Sequence, residues 1–339
     1  MKPTTAEEIL SLLDAPFTST AVGAALEFGL FWLLDENPMD RNGIAEALKL
    51  PRVRCGYWLQ LLVGAGLLEE SPQGYEPSPA ARQAILQEFS PQSWSLLAQE
   101  ARERLPGLCD LPAQLRANHL SRENLPSAYV TRMSSDLDQA RRFTRMLYEL
   151  HQELADQVTG RLDMTGVKRL MDLGGGSGVI ASALARRHQE LEILVVDIEN
   201  VCIAGHELAT QDRMEDRLTF QAVDFAKEAL PSGFDMILEC DVDIYSDELF
   251  RKVFDALVPG GRFVIVDQLA PGDGIAPPSR VHWALDGSLH DPEFMFPTAA
   301  RIGRHLKNAG FQNLSQTPLA ITGPDDRFTE GMILTEACR

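Results

Sequence analysis

The sequence has no CxxC pair, no run of 18 uncharged apolar residues, and too few basic side chains to balance its acids: 31 Lys and Arg stand against 49 Asp and Glu, a formal charge of −18. Each shortage excludes something. Five scattered cysteines (Cys55, Cys109, Cys202, Cys240, Cys338) give neither a zinc ribbon nor a disulfide framework and point to a reducing cytoplasm. The acid excess repels phosphates and anionic headgroups, so no broad nucleic-acid or membrane-surface partner is expected. Glu7, Glu8 and Asp14 interrupt the stretch where a signal peptide would be apolar, so no segment is expected to enter a bilayer. No internal repeat or low-complexity tract is visible.

What is present is an ordinary globular composition, 45% hydrophobic and 24% charged over 339 residues, enough for two domains at roughly 150 residues each. The run Thr20–Leu34, with Glu27 its only charge, predicts one helix buried by partners on several sides. Helical spacing over Asn42–Leu50 and Arg52–Gly64 follows. Then Leu67–Glu70, a Ser71–Gly74 turn and Tyr75–Pro77 predict a short hairpin. Three helices and a two-stranded wing form the winged-helix pattern. In residues 1–100, however, six Lys or Arg face thirteen Asp or Glu, which opposes DNA binding and favours a dimerisation or substrate-lid role. Residues 81–160 read as helical, broken at Pro91, Pro106, Pro112 and Pro126, with one long helix from about Leu137 to Val158.

From Lys168 onward, short apolar runs alternate with helical stretches, the pattern of a parallel sheet covered on both faces. Seven strands are expected: Lys168–Leu173, Ile193–Asp197, Leu218–Ala222, Phe234–Cys240, Arg262–Asp267, Gln312–Thr317 and Gly331–Glu336. The first runs into Gly174-Gly175-Gly176-Ser177-Gly178 and then a helix. A dinucleotide fingerprint starting at Gly174 would need a glycine at position 179, which is Val179. The pattern is instead DxGxGxG from Asp172 to Gly178, suited to a ligand that carries an amino-acid tail and a nucleoside but no pyrophosphate. Asp172 would hold a cationic amine, and Asp197, ending the next strand, a ribose diol. Asp224 and Phe225, after the third strand, would take an adenine amino group and its ring face.

With these residues in place, the chain resembles the S-adenosylmethionine-dependent small-molecule O-methyltransferases that put a winged-helix dimerisation domain before a Rossmann-like domain. The likeness is carried by AALEFGLFWLL, IAEALKL and LVGAGLLEE-SPQGYEPSP at the front. At the back it is carried by VKRLMDLGGGSG, VVDIENV, AVDF, YSDELFRKVFDALVPGGRFVIVD and LKNAGF. It implies an α/β fold: a seven-stranded doubly wound sheet of the class I methyltransferase type at 161–339, an all-α winged-helix domain at 1–105, and a helical connector at 106–160 that helps line the acceptor pocket. It also implies a homodimer through the N-terminal domains, with S-adenosylmethionine on Asp172, Gly174, Gly176, Gly178, Asp197, Asp224 and Phe225.

Relatives use a histidine in a stretch like His-Asp-Trp-Ser-Asp-Glu as the base for a phenolic hydroxyl. Here Asp243 stands at that position, and a carboxylate of pKa ~3.9 is a poor base for a phenol of pKa ~10 unless burial raises it. A second family acid is matched by Asp267; a third, near Phe296, is absent. His282 and His290, in the segment where relatives line the acceptor pocket, are alternative bases. Met146 and Tyr148 sit where relatives touch the acceptor, and Tyr245 would cover the cofactor or acceptor ring. No compact metal-ligand motif is present, although Asp241, Asp243, His282, His290 and Asp291 together would offer a mixed nitrogen and oxygen site. The expected activity is methyl transfer to oxygen of a small aromatic or polyketide-like acceptor. The alternatives are C-methylation of an enolisable keto acid, possible with metal assistance, and a non-catalytic cofactor-sensing regulator.

Overall fold

In the computed structural model the chain divides into two compact units, Met1–Cys109 and Asp110–Arg339; the described residues are 3–117, 129–225, 227–242, 244–272, 275–291, 293–319 and 331–339. The first unit opens with α1 (Ala6–Glu27), started by a capping box in which the Thr5 hydroxyl accepts from the Glu8 amide and the Glu8 carboxylate accepts from the Thr5 amide. The chain then turns at Gly29, whose φ of +66° favours glycine, into α2 (Leu30–Glu36). The single helix expected over Thr20–Leu34 is therefore two, split at Phe28-Gly29. Continuous apolar character signals burial and does not mark a break.

After α2 come α3 (Arg41–Ala47), capped by the Asp40 carboxylate on the Gly43 amide, and α4 (Arg52–Gly64). Strands β1 (Leu68–Ser71) and β2 (Gly74–Pro77) pair antiparallel as the expected hairpin. A short turn, α5 (Pro79–Ala81), leads to α6 (Pro91–Cys109), which packs on α1. Ala25, Leu30, Phe31, Leu34, Ile44, Leu59 and Leu62 form the core of this unit. The first half of α1 leaves Ile9, Leu10, Leu13 and Phe17 exposed. By length and composition alone α1 is apolar enough to cross a membrane, but it carries Glu7, Glu8, Asp14 and Glu27, and its last turns, with Ala21, Ala25 and Leu26, are buried in the protein core.

The second unit begins with α7 (Leu111–Gln114), α8 (Tyr129–Ser135), α9 (Leu137–Leu150) and α10 (Gln152–Thr159). The long helix expected to Val158 is interrupted at His151 (φ −99°, ψ 10°), which ends α9 and begins α10. The seven strands follow: β3 (Arg169–Leu173), β4 (Glu192–Asp197), β5 (Leu218–Ala222), β6 (Phe234–Cys240), β7 (Leu257–Gln268), β8 (Gln312–Pro318) and β9 (Met332–Cys338). Between them lie α11 (Val179–Arg187), α12 (Glu199–Gln211), α13 (Asp247–Ala256), α14 (Val281–His290) and α15 (Ala299–Ala309). The strand order is β5-β4-β3-β6-β7-β9-β8. β3 to β7 pair parallel, whereas β9 runs antiparallel to both neighbours, so the sheet is mixed rather than wholly parallel.

Alternate residues of the central strands feed two cores. Leu170, Met236, Leu238, Val264 and Val266 pack with α10 and α11 on one face, and Met171, Ile237, Phe263 and Ile265 with α13 and α15 on the other. From β3 the chain winds outward through β4 to β5 and returns to β6 on the other side, which leaves a crevice beyond the carboxyl ends of β3 and β6. Phe250 of α13 is fully buried and meets Phe263 edge-on at 5.3 Å between ring centres. Phe250→Ala should cost ~3–5 kcal/mol, read as a lower urea midpoint at unchanged slope.

Candidate active site

The turn from β3 to α11 owes its shape to glycine. Gly174, Gly176 and Gly178 have φ of +69°, +51° and +70°, and Gly178 caps α11. A Cβ on Gly174 would lie 2.6 Å from Cγ2 of Val242, and one on Gly175 would lie 2.5 Å from the Asp172 carboxyl carbon. Gly205 on α12 belongs to the same cradle, since a Cβ there would lie 2.5 Å from the Gly176 carbonyl oxygen. Sequence reasoning missed Gly205, because an isolated glycine in a helical stretch carries no motif.

Carboxylates converge on this turn. Asp172 is 2% exposed, and its Oδ2 has no hydrogen-bond partner among the described residues. Burial, and then the Asp197 charge, push it up to about 7. Asp197 is also buried. Its Oδ2 accepts from the Gly176 amide at 3.0 Å and its Oδ1 from the Ile198 amide at 2.7 Å, yet burial still pushes it up to about 6. From α8, Tyr129 stacks on Phe143, and its phenol is held well above the usual range by desolvation and by Asp197. Asp224 receives Lys227 Nζ at 2.7 Å, and the Phe225 carbonyl accepts from Lys252 Nζ at 3.1 Å. A small pocket beside them is lined by Phe225, Ile244, Ser246 and Leu249.

At the ends of β6 and β7 the acids continue. The Cys240 thiol is pushed well above its usual value by burial and then by the charges of Asp241, Asp267, Asp172 and Glu239, which places four carboxylates around one strand end. Asp241 has a left-handed backbone (φ +56°), and its amide donates to the Val266 carbonyl. Its Oδ2 lies 3.6 Å from His151 Nε2. Burial holds His151 below the usual imidazole range; Asp241 opposes that shift and Arg280 adds to it. Asp267, 2% exposed, accepts the Tyr245 hydroxyl on Oδ2 and the Gln268 amide on Oδ1. Arg280 Nε donates to Gln268 Oε1.

Asp172, Asp197, the glycines, Asp267 and Tyr245 thus lie at the carboxyl ends of the strands, as expected. Other residues are placed differently. Met146 is buried on α9, and Tyr148 donates its hydroxyl to Asp212 at the end of α12, so it joins the α9–α12 contact. His282 is exposed on α14. Asp243 lies outside the described residues, as does the side chain of His290 at the end of α14. Among the described residues, no three His, Cys, Asp or Glu side chains are grouped to hold a metal ion. His151, Arg280 and Gln268 were missed, because their meeting depends on three segments far apart in sequence.

Buried carboxylates crowded together with an unsatisfied oxygen require a cation, and side-chain-free backbone beside them admits a ligand to that depth. S-adenosylmethionine fits this chemistry with its sulfonium, its ammonium and its nucleoside. A glycine cradle and acids at the switch point of a seven-stranded sheet define a Rossmann-like nucleoside-binding enzyme. The model of the O-methyltransferase domain family matches residues 123–312, more than half of the chain, and the chain belongs to that family. It is similar to a 3-hydroxy-5-methyl-1-naphthoate 3-O-methyltransferase of Streptomyces sahachiroi, 28% identical over 263 residues that cover 75% of this chain and 74% of the relative. It is also similar to the N,N-dimethyltransferase OxyT of Streptomyces rimosus, 26% identical over 269 residues, or 77% and 78% of the two chains. The solved structure of PigF with SAH shares the fold at a TM-score of 0.85 and 20% identity, over 99% of this chain and 100% of that one. The protein is an S-adenosylmethionine-dependent methyltransferase.

Asp172 and Asp197 titrate above the usual carboxylate range, so from about pH 4 to 7 the folded chain holds more protons than the unfolded one. The unliganded protein should therefore lose stability as pH rises through that window. S-adenosylmethionine should bind more tightly from about pH 5.5 to 8, with proton release seen by calorimetry in two buffers of different ionisation enthalpy. An affinity indifferent to pH would contradict this. Gly175→Ala should weaken S-adenosylmethionine binding by about tenfold or more by displacing the Asp172 carboxyl, while Gly64→Ala, which meets nothing within 4 Å, leaves it unchanged.

Proposed function

We propose that the chain transfers a methyl group to a hydroxyl oxygen of a small aromatic or polyketide-like acceptor. The observation that carries this reading is the buried Asp172 carboxylate beside the glycine turn, whose Oδ2 has no hydrogen-bond partner among the described residues. In this reading Asp172 holds the ammonium of the amino-acid tail, Asp197 the ribose diol, and Gly174, Gly176 and Gly178 the open path between them. Asp224 and Phe225 take the adenine. S-adenosylmethionine, when bound, supplies an electrophilic methyl group on a sulfonium that is already a good leaving group. The protein's task is then to align the acceptor oxygen and to manage its proton.

Asp243 replaces the histidine of relatives. As a weak base it serves to orient the acceptor hydroxyl, and Asp267 fixes Tyr245 above the same crevice. The relative that acts on a hydroxynaphthoate supports an aromatic acceptor and oxygen transfer; the likeness to an N,N-dimethyltransferase makes nitrogen the outcome to test against. The exposed Ile9, Leu10, Leu13 and Phe17 of α1 support a homodimer formed through a winged-helix N-terminal unit, and the five free cysteines support a cytoplasmic protein. The acid excess of that unit argues against a DNA-binding regulator, and a gel shift with genomic fragments at physiological salt should show no complex.

Incubation with methyl-labelled S-adenosylmethionine and a set of phenols, arylamines and keto acids should label the phenols. Asp243→Asn should lower kcat by about 10²-fold or more while leaving S-adenosylmethionine affinity within about twofold. Wild-type turnover in that variant would remove Asp243 from the reaction.

A further inference from the structure

The crevice contains one polar pair that the family pattern does not account for. His151 sits at the break between α9 and α10, and its Nε2 faces Asp241 Oδ2 at 3.6 Å, an ion-pair distance rather than a hydrogen bond. Asp241 directly follows β6, and the next residue, Val242, occupies the space that a Cβ on Gly174 would need, so the pair borders the glycine turn. Both side chains are partly open, at 22% and 31% exposed, so a ligand in the crevice can reach them. We propose that His151, oriented by Asp241, accepts the proton of the acceptor hydroxyl. The inference rests on the oxygen-transfer reading above.

The chemistry favours imidazole over Asp243. A carboxylate facing one ring nitrogen favours the tautomer that carries its proton there and leaves the lone pair of the other nitrogen free to take a proton. The charged groups that face His151 among the described residues are Asp241, from the loop after β6, and Arg280, from the turn before α14. Burial, and after it Arg280, keep the ring below its usual range and therefore neutral near pH 7, with Asp241 opposing part of that shift. Arg280, anchored on Gln268, sets positive charge beside the imidazole. His305 is engaged with Asp247, and His282 lies exposed on α14.

In the step, the hydroxyl proton moves to the imidazole nitrogen. An oxygen lone pair forms the new O–C bond as the C–S bond breaks, and the electron pair of that bond stays on sulfur. The imidazolium then returns its proton to solvent.

The test compares two acceptors at pH 8: 2-naphthol, which remains protonated, and 4-nitrophenol, which is largely ionised. His151→Gln should lower kcat/KM for 2-naphthol by about 10²–10⁴-fold and for 4-nitrophenol by less than about tenfold. Equal losses on both would overturn the proposal and leave His151 a packing residue. If the wild type methylates neither phenol but does methylate an amine or a carbon acid, the oxygen-transfer reading fails instead. A second measurement does not depend on turnover. NMR titration of the full-length chain with S-adenosylhomocysteine should find His151 below the usual imidazole range, and lower still in Asp241→Asn, since that carboxylate is what raises it. A His151 titration unmoved by Asp241→Asn overturns the pairing.

Discussion

Electrostatic crowding at the buried ends of the central strands governs this structure. Asp172, Asp197, Asp241, Asp267 and Glu239 are delivered to the ends of β3, β4, β6 and β7, and the effect on the neighbouring Cys240 thiol shows how closely four of them gather. Burial raises the proton affinity of both Asp172, to about 7, and Asp197, to about 6, and the neighbouring Asp197 charge adds to the shift at Asp172. Backbone amides offset part of it at Asp197, whereas Asp172 Oδ2 has no such relief. A cationic nucleoside resolves the conflict by charge. The demethylated product keeps its ammonium but loses the sulfonium charge, so the same groups hold it less strongly, which favours its release after transfer.

Such a site is tolerable only because the scaffold beneath it is rigid. The central strands bury alternate residues in two cores, so the acids at their ends cannot spread apart without unpacking Leu170 and Met236 on one face or Ile237 and Phe263 on the other. The glycine turn then brings bare backbone up to the carboxylates, and Gly205 allows α12 to close beneath it. Alignment of an acceptor against a fixed electrophile depends on this stiffness, because effective molarity is lost with small displacements.

What could be read from the residues was whatever repeats locally. Apolar runs gave the seven strands to within a few residues of their ends, except that β7 begins five residues before the expected Arg262, at Leu257. The spacing of Asp172, Gly174, Gly176 and Gly178 pointed to the cradle. The direction of β9 was not legible, since an apolar run marks burial on both faces whichever way the strand points. The breaks at Gly29 and His151 were hidden because both flanking segments keep helical periodicity. Tyr148 looked like a pocket residue on α9, but helical phase sends its hydroxyl to Asp212. The meeting of His151, Asp241 and Arg280 joins three distant segments, and no local pattern encodes it.

The antiparallel placement of β9 between β7 and β8 bears on how the protein is made. During synthesis β3 to β7 emerge with every acid of the crevice, yet the outer edge of β7 stays unpaired until Met332–Cys338 arrives. Until then a long, largely buried strand presents open amides and carbonyls, the kind of edge that recruits other chains. The nascent polypeptide therefore depends on β9 for protection against self-association, and the sheet can close only after the residues up to Cys338 have been made.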